Sequence, residues 1–142
     1  MSTIELCIGR LISGKALLKT IGGAADFAAN VESAPKQLPA AFLVPWAWTP
    51  GANQLDTMMA EQQVKESVAV FIAVSNLKDA TGRAALDSLE PIRAEVRGLL
   101  FGWSPSAGYD PMTMGPGKLF KVLNNVLWWM DVYNTSSIWR SA

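Results

Sequence analysis

The sequence predicts a single α+β domain spanning residues 1–142, with a small, mostly antiparallel sheet and two main helices packed on it. Three observations carry this expectation. Apolar residues recur at helical spacing in two places, near the N-terminus and after residue 83. Other segments alternate apolar and polar residues with the two-residue period of a strand. A chain of 142 residues, 50% hydrophobic and 17% charged, is long and apolar enough for one core and too short for two.

Ser2-Thr3-Ile4-Glu5 places a hydroxyl at a helix cap and a carboxylate three residues on, the pattern of a capping box. Ile4, Ile8, Leu11 and Ile12 follow at helical spacing, so a first helix is expected to end near Gly14. Cys7 falls beside that stripe and reads as a small buried apolar residue rather than a reactive thiol. Leu17–Ile21 suits a short strand closed by Gly22-Gly23, and the small residues of Ala24–Asn30 suit a brief helical segment. Pro35 and Pro39 mark a loop.

Ala40–Trp48 reads as a strand with Phe42, Val44, Trp46 and Trp48 on one face. Pro45 within it demands an edge position or a bulge, because proline cannot donate to a ladder. Val64–Ser75 alternates more clearly, with Glu66, Val68, Val70, Ile72 and Val74 facing one way and Ser67, Ala69, Phe71 and Ala73 the other. The connection Thr49–Gln63 is expected to be a long polar loop carrying Met58 and Met59.

Ala85, Leu89, Ile92, Val96 and Leu99 form the stripe of a second helix, opposite a charged stripe of Arg83, Asp87, Glu90 and Arg97. Asp79 or Thr81 suits its cap and Gly102 its end, and Pro91 is expected to kink it. Ser104–Gly117, with three prolines and three glycines, is expected to be loop. Leu119–Leu123 and Val126–Tyr133 then form a hairpin around Asn124-Asn125, since asparagine tolerates the positive φ of tight hairpin turns. Adjacent Trp128 and Trp129 must point to opposite faces of their strand. Asn134–Ala142 is expected to be a C-terminal arm, its Thr135, Ser136 and Ser137 a flexible run leading to Ile138, Trp139 and Arg140.

Composition narrows the function. Twelve basic residues balance twelve acidic ones, and no basic cluster interleaved with aromatics suggests nucleic-acid binding. The absence of histidine rules out a Ser-His-Asp triad, a Cys-His pair and a histidine-bearing zinc site. A single cysteine allows neither an intrachain disulfide nor a thiolate cluster. No nucleophile elbow, phosphate-binding loop or dinucleotide fingerprint is present. Catalytic, cofactor and metal sites are therefore all expected to be absent. The N-terminus lacks the pattern of a secretory leader, and the apolar stretch Leu119–Tyr133 is too interrupted to span a membrane. Six tryptophans and a positive mean hydropathy are a large apolar load, which fits either a dense core or a surface that docks on protein.

The candidate docking residues are Met58 and Met59 on the long loop, Trp128 and Trp129 on the last strand, and Ile138, Trp139 and Arg140 at the C-terminus. For the methionines and for Trp139, packing into the chain's own core is the competing expectation.

Several segments resemble the tail terminator-like proteins of long-tailed, Mu-like and lambda-like bacteriophages. They are Ile21-Gly22-Gly23-Ala24-Ala25-Asp26-Phe27-Ala28-Ala29, Pro39-Ala40-Ala41-Phe42-Leu43-Val44, Gln63-Val64-Lys65-Glu66, Ala80-Thr81-Gly82-Arg83, Leu89-Glu90-Pro91-Ile92, Gly102-Trp103 and Leu127-Trp128-Trp129. The resemblance implies a homohexameric ring that caps the head-proximal end of the tail tube and ends its polymerisation. It also implies that the ring offers an interface to a head-completion or connector protein. Such a protein is made in the host bacterial cytoplasm and resides at the head–tail junction, with DNA passing through the lumen without specific binding. The alternatives are another neck component, or a monomeric protein-binding module or inhibitor.

Overall fold

A computed structural model describes residues 1–55, 58–76 and 83–141. The elements run α1 (Thr3–Gly14), β1 (Thr20–Gly22), α2 (Ala24–Asn30), β2 (Ala40–Pro50), β3 (Glu61–Ser75), α3 (Arg83–Leu100), β4 (Thr113–Leu123) and β5 (Val126–Arg140). The five strands form one sheet in the order β1-β2-β3-β5-β4. It is mixed rather than the mostly antiparallel sheet expected. β2, β3, β5 and β4 pair antiparallel, but β1 runs parallel to β2. The cause is the connection between them: α2 and the loop after it form a crossover long enough to return the chain in the same direction, as a parallel pair requires.

The alternation of β3 sorts the core into two layers. Val68, Val70, Ile72 and Val74 face α1 and α3, packing with Cys7, Leu11, Leu89, Ile92, Val96 and Leu100. Ala69, Phe71 and Ala73 face the other way, with Phe42, Trp128 and Met130, and Phe27 of α2 covers them. Phe27 stacks on Phe71 with ring centres 4.2 Å apart. α2 is only seven residues long, so it covers part of that face and leaves the rest of the sheet to other neighbours or to water.

Local signals set the helices. Ser2 caps α1 with the reciprocal bonds of a capping box, and the helix ends at Gly14. α3 continues through Pro91, which lies at an exposed position where water can reach the carbonyl that lost its donor. Its end precedes Gly102, whose φ is 81°, a conformation that glycine adopts freely. The expected caps Asp79 and Thr81 lie outside the described residues. The hairpin turn is as expected, with Asn124 at φ 53° and Asn125 at φ 61°.

Three expected loops give way to strand. β2 and β3 extend to Pro50 and from Glu61, so both ends of the expected Thr49–Gln63 loop are strand; its residues 56 and 57 lie outside the described residues. β4 begins at Thr113, taking Gly115-Pro116-Gly117 out of the expected loop; the register shift between Met114 and Gly117 absorbs them as a bulge. The expected flexible arm is the second half of β5. Asn134 to Arg140 pair residue by residue with Ser67 to Glu61 of β3, and Thr135, Ser136 and Ser137 are buried. Asp110 adds support there. Its N–H donates to the Ser136 carbonyl at 2.8 Å, and its own carbonyl accepts from Thr135 Oγ1 at 2.7 Å.

Candidate interaction surfaces

A largely buried ion pair joins α3 to β5 beneath the edge strand β4. Asp131 of β5 is only 8% exposed and faces α3. Arg93 Nε and Nη2 donate to its two carboxylate oxygens at 2.9 and 3.0 Å, and Trp129 Nε1 donates at 2.9 Å. The guanidinium also lies over the Trp129 ring, 4.7 Å from its centre, an additional cation–π attraction. The hydrogen bond to Asp131 holds the Arg93 guanidinium above its ordinary pKa. Gly117 of β4 passes directly over this carboxylate. A Cβ there would lie 2.3 Å from Asp131 Oδ1, so only glycine lets the bulged strand approach so closely.

The other end of β4 is anchored at the hairpin tip. Asn124 Nδ2 donates to the carbonyls of Glu32 and Ser33 at 2.9 and 3.1 Å, and Lys121 pairs with Glu32 at 3.4 Å. Along its length β4 exposes Met114, Leu119, Phe120, Val122 and Leu123. A second register shift, between Leu119 and Lys121, leaves Phe120 without a partner on β5. Phe120 turns onto Phe71 with ring centres 5.0 Å apart. Both parities of the strand thus carry exposed apolar side chains at the sheet's edge, without the polar alternation usual for a solvated edge.

A second apolar surface lies at the far end of β2, β3 and β5. β1 covers only Ala40–Phe42 of β2, so beyond that point β2 is an edge strand. Pro45 meets the predicted condition twice over, since the register also shifts between Pro45 and Ala47. That bulge corrects one expectation. Trp46 keeps to the Phe42 face and meets Phe71, whereas Trp48 pairs opposite Glu66 and so changes face. There Trp48 meets Trp139 edge to face, with ring centres 6.1 Å apart. Trp139 Nε1 donates to Ser137 Oγ at 3.0 Å, which fixes the ring. A cleft of about 280 Å³ runs beside these tryptophans, lined also by Ile4, Pro45 and Glu66. Thr3 Oγ1 donates to the Glu66 carboxylate at 2.7 Å.

The structure divides the predicted docking residues. Trp128 is fully buried against Phe27 and Phe42; it belongs to the core and not to a surface, because α2 covers its face. Trp129 is half-buried beneath Arg93. Met58 is fully exposed and Met59 about half exposed, so neither fills the core. Ile138, Trp139 and Arg140 are exposed, and Arg140 pairs with Glu61. Trp139 meets Trp48, whereas Ile138 points to the opposite face of β5. The β4 residues were missed, although Leu119-Phe120 and Val122-Leu123, apolar at both parities, already break the alternation of a half-buried strand.

Nothing among the described residues gathers three or more metal-binding side chains, and no described helix is long and apolar enough to cross a membrane. Cys7 is fully buried, and burial followed by the nearby Glu66 charge pushes its thiol up to about 12.

No curated protein matches the chain in sequence. The family model described as "Phage tail terminator protein" matches residues 1–142, the whole chain. That match covers the whole of this α+β domain, and the protein belongs to the phage tail terminator protein family.

Proposed function

We propose that the protein is a non-enzymatic tail terminator, six copies of which close into a ring on the head-proximal end of the tail tube. The ring ends tube growth and presents its other face to a head-completion or connector protein. Membership of the family supports a structural role in phage tails. The observation that carries the ring reading is the presence of two separate apolar surfaces, at β4 and at the tryptophan end. Closed rings need two different patches on each subunit, because head-to-tail contacts generate rotation. A near-neutral protein also suits a lumen through which DNA slides without being held.

The loop of residues 51–60 is the part best suited to touch the tube. Its base is pinned by Gly51 N–H donating to the Gln63 carbonyl at 2.6 Å and Gln54 N–H to the Glu61 carbonyl at 2.8 Å. Fully exposed Met58 projects from it, and methionine adapts its shape to a partner. The test is a phage whose supplied copy carries Met58→Asp, compared with one lacking the protein. Overlong or irregular tails in both, with an unchanged melting temperature for the variant, are expected. Tails of normal length that lack only heads, in the phage without the protein, would assign it to another neck component instead.

A further inference from the structure

Beside the connection that carries Met58 lies a cleft whose walls suit a basic side chain. We propose that this cleft, between the N-terminus of α1 and the far end of β2, receives a lysine or arginine side chain from the last ring of the tail tube. The proposal rests on the reading that this end of the molecule meets the tube.

The strand registers put Trp48, Glu66 and Trp139 on one face of the sheet, the face that carries α1 and α3. The cleft on that face has a volume of about 280 Å³. Small-molecule sites begin near about 300 Å³, so this one suits a single side chain. Ile4, Pro45 and Val68 line it and offer apolar surface to the aliphatic stem of a lysine or arginine. Glu66 selects the charged head. Its carboxylate is half-buried, and Oε2 accepts from Thr3 Oγ1 at 2.7 Å. No described lysine or arginine lies within ion-pair distance of it. A carboxylate can accept at about four positions, so a charged donor still has room there. An incoming cation relieves the cost of keeping that half-buried charge without a counter-ion, whereas an acidic occupant would be repelled. Trp48 pairs opposite Glu66 across the strands and offers its ring to the same cation. Trp139 packs edge to face on Trp48 and is held by Ser137, so this aromatic wall is formed before binding.

The position of the cleft favours the tube as the source. Trp48 stands just before Pro50, where β2 ends, and Glu66 faces it from the first half of β3. At about 3.3 Å per residue, Trp48 is within about 7 Å of the segment from which Met58 projects. A partner surface that covers the base of that segment also covers the cleft.

The test measures co-sedimentation of the purified protein with tail tubes from a phage that lacks it, across a series of salt concentrations. Glu66→Gln keeps an oxygen for Thr3 Oγ1, so its melting temperature should match the parent's. Its binding to tubes should fall by about tenfold or more, the worth of one charged hydrogen bond, and should depend less on salt. Trp48→Leu, at an exposed position, should weaken binding as well. Thr3→Val removes the hydroxyl but leaves the carboxylate, and should bind like the parent. Parent-like binding by Glu66→Gln or by Trp48→Leu would overturn the proposal. So would Thr3→Val binding as poorly as Glu66→Gln, because Glu66 would then act only by holding α1. Normal tube binding by Glu66→Gln with loss of self-association would assign the cleft to a second copy and overturn its assignment to the tube. A parent protein that binds no tubes at all would overturn the tube reading itself, and the proposal with it.

Discussion

Replacing Asp131 with alanine tests how far the ion pair between α3 and β5 stabilises the fold. The substitution removes both Arg93 bonds and the Trp129 bond, leaving a guanidinium whose side chain is 25% exposed. Breaking a buried pair by removing one partner costs about 3–5 kcal/mol. Here partial exposure and the nearby Glu90 carboxylate, 3.3 Å from Arg93, place the expected loss near the lower end, about 3 kcal/mol. A domain of this length has an unfolding entropy of about 0.3 kcal/mol/K, so the melting temperature should fall by about 10 °C. Replacing both partners, Arg93→Met with Asp131→Leu, should recover most of the loss, because no charge is then left unpaired. Urea unfolding followed by circular dichroism measures Asp131→Ala, the double variant and the two single variants that compose it. A loss below about 1 kcal/mol for Asp131→Ala, or a double variant whose loss equals the sum of the singles, would refute the reasoning.

Three other outcomes are expected. Cys7 should resist thiol reagents at pH 8 in the native protein and react fully on unfolding, since burial keeps it protonated; fast native labelling would contradict its position. Burial raises the Glu95 carboxyl, but bonds from the N–H groups of Leu17, Ala16 and Leu18, and the charge of Lys15, outweigh this and hold its pKa below the usual value. A depressed carboxylate adds stability above its unfolded pKa and loses it as pH falls through the folded one. Glu95→Gln should therefore destabilise by about 1–2 kcal/mol at pH 7, with the difference shrinking below about pH 4.3, as pH-dependent melting will register. Ending the chain at Asn134 should destabilise the monomer strongly, because it strips the partner from residues 61–66 of β3; an unchanged melting temperature would restore the flexible arm.

Local signals were legible in the sequence and distant ones were not. The capping box, the bounds of α1 and α2, the two faces of β3 and the Asn124-Asn125 turn all follow from residues within one turn or one strand. The parallel placement of β1 depends on where a crossover lands, which no window of residues encodes. Arg93 with Asp131 and Glu95 with Leu17 are 38 and 78 residues apart, so no local stretch of sequence joins either pair. Trp128 and Trp129 were correctly sent to opposite faces, but which face α2 would cover was not written in their neighbourhood. Polar Thr135-Ser136-Ser137 read as flexible because nothing nearby reveals that Asp110 and β3 satisfy it. The β4 surface was hidden for a similar reason: apolar residues look like core until the strand is known to be an edge.

The most direct test of the ring account is an electron cryo-microscopy reconstruction of the head–tail junction, computed without imposed symmetry. The account predicts six copies of this chain closed in one ring on the last ring of the tube. Density of another rotational order, or this protein located away from the end of the tube, would contradict it.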